Sequence, residues 1–489
     1  MPAMSSLGLF GIEGIIILFY IITILFVCLM IVFENRAPVK TLSWVLVILL
    51  VPVFGIIFYI FFGQNYRKKK IFSKKSILDM EHLSNVAAFQ TNTLHGRMAV
   101  VSEKVREKEH LIKLMLNNNK SAITEFNSIE ILIDGKNTFP AMFEAIEGAR
   151  SFINVEFYRF ESDILGMKFC DILMEKAKQG VKVRIIFDDV GSWSLSNKII
   201  KKMRKGGVEV YPFMPVRFPW LTSKINFRNH RKILVIDGEK GFVGGLNIAD
   251  KYLHGLSDIG SWRDTHLLIR GEAVAALNSV FMVDWYFVSD ILLADELVAP
   301  SADPITERCL IQVASSGPDS DWANIMQVYF SAIATARESI YISTPYFSPD
   351  ESVLNALLTA ALSGVDVIIL LPGRSDSAVA FWNTLSYIPE LLEAGIRIFL
   401  YNEGFNHSKY ILVDKVFASV GSANVDMRSF DLNFEIAALV YDENFAAKLY
   451  KVFLSDLQRS SEVIPSVWAV RKRITRYKES LARIFGPLY

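Results

Sequence analysis

With 489 residues the chain is longer than one ordinary hydrophobic core accommodates, so two or more domains are expected. Hydrophobic residues make up 52% of it, which predicts a membrane segment joined to a globular body. Lys plus Arg number 52 against 51 Asp plus Glu, so there is no basic field to attract a polyanion, and bulk nucleic-acid binding is disfavoured.

Ile15–Phe33 is an uncharged, mostly apolar run of 19 residues. As a helix it reaches about 28 Å, close to the hydrocarbon thickness of a bilayer. Leu42–Phe62 is a second run, of 21 residues, with Pro52 and Gly55 inside it, and membrane helices tolerate both. Together they predict a two-helix transmembrane hairpin over residues 1–66, with spans near 12–33 and 42–62. A cleaved signal peptide fits poorly, because no Lys or Arg precedes the first run and a second follows at once. Arg67-Lys68-Lys69-Lys70, then Lys74 and Lys75, follow the second run, whereas the loop between the runs carries only Arg36 and Lys40 with Glu34. The positive-inside rule places residues 67 onward, and the N-terminus, in the cytoplasm. The same cluster suits an anionic membrane surface. Cys28, Cys170 and Cys309 are too far apart for a disulfide framework or a zinc site.

Residues 67–125 are basic and helical in texture and read as a linker region. Beyond them the chain repeats at an offset of 177 to 188 residues, which predicts two similar lobes over 126–300 and 301–489. A helix ending in Ala149-Arg150, a strand Ser151–Tyr158, a helix to Gly180 and a strand Val181–Phe187 are answered by a helix ending in Ala336-Arg337, a strand Ser339–Tyr346, a helix to Gly364 and a strand Val365–Leu371. Apolar β-branched runs alternating with helical stretches of this length predict an α/β fold with buried sheets.

Each half then carries one motif: His230-x-Lys232-x4-Asp237 and His407-x-Lys409-x4-Asp414. Residues two apart on a strand share a face, so each imidazole stands beside an ammonium. Asp237 and Asp414 are an odd number of residues beyond, on the opposite face of a regular strand, where they brace it. Two His–Lys pairs on one pocket suit phosphodiester transfer. One imidazole attacks phosphorus, the other moves the proton of the leaving and entering hydroxyls, and the lysines stabilise charge on the non-bridging oxygens. No carboxylate-rich cluster calls for a metal and no cofactor is implied. The other histidines, His82, His95, His110, His254 and His266, read as structural or surface residues.

Gly244-Gly245-Leu246-Asn247 follows the first motif and Gly421-Ser422-Ala423-Asn424 the second, giving each copy small residues where backbone can approach phosphate and an amide that can bond it. Asp264 in Trp262-Arg263-Asp264 and Glu435 in Asn433-Phe434-Glu435 come next at comparable places. They are candidates to bond the distal nitrogen of each histidine and fix its tautomer, the alternative being solvent-exposed acids. The site is drawn as His230, Lys232, Asn247 and Asp264 facing His407, Lys409, Asn424 and Glu435.

These motifs, with Glu34-Asn35-Arg36-Ala37-Pro38, Thr41-Leu42-Ser43-Trp44, Asn229-His230-Arg231-Lys232-Ile233 and Thr344-Pro345-Tyr346-Phe347, resemble the phospholipase D superfamily and, more closely, the bacterial cardiolipin synthases. The resemblance implies two α/β lobes with mixed sheets flanked by helices, related by a pseudo-two-fold axis around one active site. It implies transfer of a phosphatidyl group between two phosphatidylglycerols through a phosphohistidine, giving cardiolipin and glycerol, at a bacterial plasma membrane. It assigns His230 as nucleophile and His407 as acid/base, roles that near-symmetry lets exchange, and it counts Asp237 and Asp414 in the family motif. Water or serine as acceptor would make the chain a phospholipase D or a phosphatidylserine synthase; a nuclease fits less well, and a scaffold without chemistry least. Two further segments fit a lipid substrate. Tyr211–Leu221 lines an acyl-chain entrance or is an ordinary packed loop, and Val467–Phe485 is a basic amphipathic helix on an anionic membrane or packs on the body.

Overall fold

The first apolar run forms one helix, Ile12–Phe33, in the computed structural model of the chain, which describes residues 12–33, 38–59, 90, 98, 101–216, 223–293 and 305–486. Its stretch Gly14–Phe33 is long and apolar enough to cross a membrane, and among the described residues no other helix is. Ile16, Phe19, Leu25 and Phe26 are all exposed, as on a helix facing acyl chains instead of a protein core. The second run departs from the single span expected of it. Pro38–Leu50 and Pro52–Phe58 are separate helices, with Val51 between them at φ −137° and ψ 69°. Pro52 has no N–H to offer the preceding turn and its ring crowds that turn, so the helix breaks there. Ile31, Ile48 and Tyr59 form a small buried cluster, and Trp44 meets Tyr59 edge-on with ring centroids 5.5 Å apart. Residues 34–37, 60–62 and the basic cluster at 67–75 lie outside the described residues.

In the body, the two halves of the repeat build one 15-stranded mixed sheet. From one edge, the first half contributes Glu209–Phe213, Lys182–Asp188, Phe152–Phe157, Lys232–Ile236, Lys240–Gly244, Thr265–Gly271 and Thr124–Ile133. The second half runs the other way: Arg308–Ser316, Glu435–Tyr441, Phe417–Gly421, Tyr410–Val413, Ser339–Ser343, Asp366–Pro372 and Arg397–Tyr401, with Ser460–Glu462 added at its edge. Equivalent strands therefore read the same from either end. The halves join where Thr124–Ile133 and Arg308–Ser316 pair antiparallel, so the lobe sheets are continuous instead of separate.

Local chemistry repeats with the fold. Asp163 and Asp350 cap equivalent helices, accepting from the N–H groups of Gly166 and Ser352 at 2.9 Å. Gly180 and Gly364 end those helices at φ +90° and +94°, a conformation that glycine adopts without a Cβ penalty, and hand the chain to buried parallel strands.

The region expected to be a linker is, where described, packed into the core. Leu111, Ile112, Met115 and Leu116 of helix Glu109–Asn118 are buried among second-half residues such as Ile325, Val328 and Ile340. Tyr211–Phe213, expected to open an irregular loop, completes the edge strand Glu209–Phe213, with Phe213 buried; residues 217–221 lie outside the described residues.

Candidate active site

His230 and His407 sit just ahead of the strands Lys232–Ile236 and Tyr410–Val413, where the two halves of the chain cross. Asn229 bridges to Phe434, and Gly404–Asn406 runs parallel to Ser261–Arg263 with Asn406 against Arg263. The His230 N–H donates to the Phe434 carbonyl at 2.9 Å and the His407 N–H to the Arg263 carbonyl at 2.7 Å. The residue after each crossing point is a carboxylate, so each falls beside the histidine of the other half. His230 Nδ1 is 2.9 and 3.0 Å from the two Glu435 oxygens, and His407 Nδ1 is 2.7 Å from Asp264 Oδ2. The grouping expected from chain order, Asp264 with His230 and Glu435 with His407, is thus corrected. The reason is the crossed pairing, which a same-half reading of the repeat does not contain.

The carboxylates are themselves held. Glu435 accepts from the Ser422 hydroxyl and from Asn433 Nδ2 at 3.2 Å. Asp264 Oδ1 accepts from the Thr265 N–H at 2.8 Å and fills the space beside Gly245, where a Cβ would lie 2.0 Å from it. The small residue reserved for phosphate is therefore required by this carboxylate. Behind each stands a buried arginine. Arg231 donates to the Glu435 carbonyl at 3.2 Å and pairs with Asp284; Arg263 donates to the Asp264 carbonyl and pairs with Asp456 at 2.9 and 2.7 Å.

Lys232 and Lys409 are buried, and each reaches back to the carbonyl of its own histidine, at 2.5 and 2.6 Å. Burial pushes Lys409 down to about 8, against the pull of Asp264 and Glu435, and pushes Lys232 well below the ordinary lysine value. Burial also takes His230 down to about 4, although Glu435 opposes it. His407 lies well below its ordinary value, first by burial and then by the Lys409 ammonium, 2.9 Å from the same Nδ1. Both imidazoles favour the neutral form near pH 7; with its proton on Nδ1 each donates to its carboxylate, and at His407 that excludes a second bond from Lys409 to the same nitrogen.

That cavity, about 280 Å³, is lined by both histidines, by Asn247 and Asn424, and by Arg159, Arg228, Lys251 and Arg428. Tyr158 meets His230 edge-on at 5.1 Å between centroids, and Trp262 lies 5.1 Å from His407. The two amides are already engaged: Asn247 accepts from the Arg159 N–H at 3.1 Å and donates to the Tyr252 hydroxyl at 2.8 Å, while Asn424 donates to Asp426 at 3.0 Å.

Asp237 and Asp414 do not line the cavity, and neither do Lys232 and Lys409, which were expected to face it; the lysines bond the carbonyls of His230 and His407, whereas the aspartates bond elsewhere. The strands end at Ile236 and Val413, and the two aspartates occupy the turns beyond, at φ +52° and +53°. The strand parity expected of them does not apply there. Asp237 accepts from the N–H groups of Arg150, Ser151 and Phe152 at 2.7–2.9 Å. Asp414 does the same for Arg337, Glu338 and Ser339 and adds Lys108 Nζ at 2.6 Å. Each therefore ties its motif turn to the start of a neighbouring strand.

The cationic rim and Tyr158, Tyr252, Tyr346 and Asp376 of the lining lie outside the motifs that the sequence singles out. Tyr158 and Tyr346 end equivalent predicted strands, a signal the repeat itself carried; Asp376 sits in a loop and Lys251 opens the short helix Lys251–His254. Of the remaining histidines, His266 is buried, His110 bonds Thr335 at 3.0 Å, and His82 and His95 lie outside the described residues.

Comparison with known proteins identifies the family. Residues 142–285 and 329–457 match the family described as cardiolipin synthase, PLD-like domain, and residues 15–64 match the phospholipase D-nuclease N-terminal family. The chain is 42% identical over 480 residues to a cardiolipin synthase of Alkalihalophilus pseudofirmus, covering 97% of this chain and 94% of that one. It is 44% identical over 470 residues to a cardiolipin synthase of Geobacillus sp. WCH70, covering 95% and 92%. Its fold is that of phosphatidylserine synthase from Haemophilus influenzae Rd KW20, with a TM-score of 0.59 at 15% identity over 77% of this chain and 97% of the other. Both motif copies, and the crossing that joins them into one site, fall inside the matched segments: the chain belongs to the cardiolipin synthase family of phospholipase D-like enzymes.

Proposed function

We infer that the chain is a phosphatidyltransferase that makes cardiolipin and glycerol from two phosphatidylglycerols. The observation that carries this is the single cavity onto which both histidines open, each held by a carboxylate from the other half, in a chain 42–44% identical to cardiolipin synthases over nearly its whole length.

In the first step His230 Nε2 attacks phosphorus, the bond to the headgroup glycerol breaks, and that oxygen takes a proton from His407. A phosphatidyl-histidine and free glycerol result. In the second, a headgroup hydroxyl of another phosphatidylglycerol gives its proton to His407 as its oxygen attacks phosphorus, and the phosphorus–nitrogen bond breaks. Neutral His230 is the form that attacks, and burial favours it. His407 must carry a proton in the first step, and the negative charge of a bound phosphodiester raises its affinity for one. Lys232 and Lys409, with the arginine rim, stabilise the charge that grows on the non-bridging oxygens. Glu435 and Asp264 fix the tautomers, Asn247 and Asn424 shape the phosphate subsite, and Asp237 and Asp414 act as braces. The lobes correspond to residues 126–300 and 301–489.

Purified full-length protein in phosphatidylglycerol liposomes tests the reading. Cardiolipin and glycerol in equal amounts are expected; phosphatidic acid without cardiolipin would mean that water is the acceptor. Mapping a trapped phosphoenzyme to residue 230 or 407 assigns the nucleophile.

For topology, we propose that Pro38–Phe58 makes a second crossing, broken at Pro52, that returns the body to the cytoplasmic side of the plasma membrane. The exposed Leu46, Leu49, Phe54 and Phe58 and the family match over 15–64 support it. A cysteine at position 36 labelled from outside intact cells, with one at position 68 protected, is the expected result.

A further inference from the structure

Helix Arg473–Phe485 is mounted with its apolar side outward. Ile474, Tyr477, Leu481 and Ile484 are 60%, 70%, 59% and 71% exposed, and at about 100° per residue they share an arc of about 80°. The face turned inward is polar or small, with Glu479 and Ala482 each 3% exposed. A surface helix of a soluble body is oriented the other way.

What fastens the helix is charge. Arg471 donates to Glu479 at 2.5 and 3.2 Å, Arg483 donates to Glu390 at 2.7 Å and lies over the Tyr387 ring, and Lys478 lies over Trp382. Lys478 flanks the apolar stripe on one side and Arg473 and Arg476 on the other; the one acid of the helix, Glu479, is buried and paired. Just upstream, Val467 and Val470 extend the exposed apolar surface.

The far end of this helix belongs to the active site. Gly486 lines the cavity, and the helix packs against Ala378–Ser386, whose Ala380, Asn383 and Thr384 form a wall of the same cavity.

We propose that residues 465–486 are a bilayer-docking element that lays the Ile474–Ile484 stripe into an anionic lipid surface and thereby sets the cavity wall at the level from which a phospholipid headgroup enters. The proposal rests on the lipid-substrate reading above. An apolar stripe bordered by cations, with its only acid sequestered, complements acyl chains beneath anionic headgroups.

The test uses the full chain carrying Cys28→Ser, reconstituted in phosphatidylcholine vesicles with or without phosphatidylglycerol, with a fluorophore on Leu481→Cys. Quenching by nitroxide lipid is expected in the phosphatidylglycerol vesicles and much less without it. Equal quenching in both, none in either, or cross-linking between copies through residue 481 in place of quenching would overturn the proposal. In parallel, the combined variant Ile474→Gln, Tyr477→Gln, Leu481→Gln and Ile484→Gln is expected to lose roughly tenfold or more activity on vesicle phosphatidylglycerol and none on a short-chain, water-soluble phosphatidylglycerol. Loss on both substrates, or on neither, would count against it. If the unmodified chain makes no cardiolipin from either substrate, the catalytic reading fails, while the quenching still decides the docking.

Discussion

The two histidine settings share a frame and differ in chemistry. His230 has a glutamate supported by the Ser422 hydroxyl and the Asn433 amide, with Tyr158 at its edge. His407 has a shorter aspartate lodged over Gly245 and bonded by a backbone N–H, a lysine ammonium near the same imidazole nitrogen, and Trp262 beside it. The arginine that steadies each carboxylate also comes from a different place: Arg231 from the motif in one case, Arg263 from the position just before the carboxylate in the other, with Phe434 and Ser408 in the matching positions. The repeat supplies two similar scaffolds, and the side chains at their crossing give the two histidines different surroundings.

The most damaging way to probe this difference is to remove each imidazole. His230→Ala and His407→Ala should each reduce cardiolipin formation by about 10⁴-fold or more, because the two act as a unit. A nitrophenyl phosphodiester, whose leaving group needs no proton, separates them: His407→Ala should still give one burst of nitrophenolate and His230→Ala none. The reverse would exchange the roles.

The crossing is tested one layer out. Glu435→Gln should slow that burst by about 10²-fold or more, whereas Asp264→Asn should leave the burst and slow turnover. A same-half pairing gives the opposite pattern. Arg231→Met and Arg263→Met should lower kcat by roughly tenfold to a hundredfold with little change in KM, and lysine should not restore it, since one ammonium cannot serve both the carbonyl and the aspartate fork.

The pH profile gives a finer distinction. Activity should fall below about pH 4, where His230 takes up a proton, and above about pH 8, where Lys409 loses one. In Lys409→Arg the alkaline limb should move upward even as the rate drops, because guanidinium keeps its charge.

The braces should affect stability alone. Asp414→Asn strands the buried Lys108 and should cost about 3 kcal/mol; Asp237→Asn, with no cation to strand, about 1–2. The activity of the folded fraction should be unchanged in both. Burial raises the Asp414 carboxyl, but hydrogen bonds from Lys108, Glu338 and Ser339 and the Lys108 charge together outweigh it and hold the group below its ordinary value. That contribution is therefore complete above the unfolded carboxylate range and disappears as pH falls through the lowered folded value.

Much of this was legible in the chain. The order of helices and strands, the glycines that end the helices, the repeat and the candidate histidines that open on one cavity follow from periodicity, turn chemistry and internal echo, which are local properties. Other points were not legible. Asp237 and Asp414 sit where bracing residues are expected, but for a different reason: the strands end one residue before them, so strand parity does not apply. The space at Gly245 suggests room for phosphate, but the neighbour that needs it, Asp264, arrives from the junction between Ser261–Arg263 and Thr265–Gly271. Residues 102–123 looked like a linker because their polar face is on view in the sequence, while their apolar partners lie some 200 residues downstream.

The sequence by itself singled out the candidate side chains, since a histidine and a lysine two residues apart, found twice in a duplicated chain, narrow the reaction class before any fold is known. The tertiary structure alone decided which carboxylate serves which histidine and which way the last helix faces. Those choices depend on parallel contacts between segments more than 140 residues apart and on which surface the body leaves uncovered, and no local pattern in the chain encodes either one.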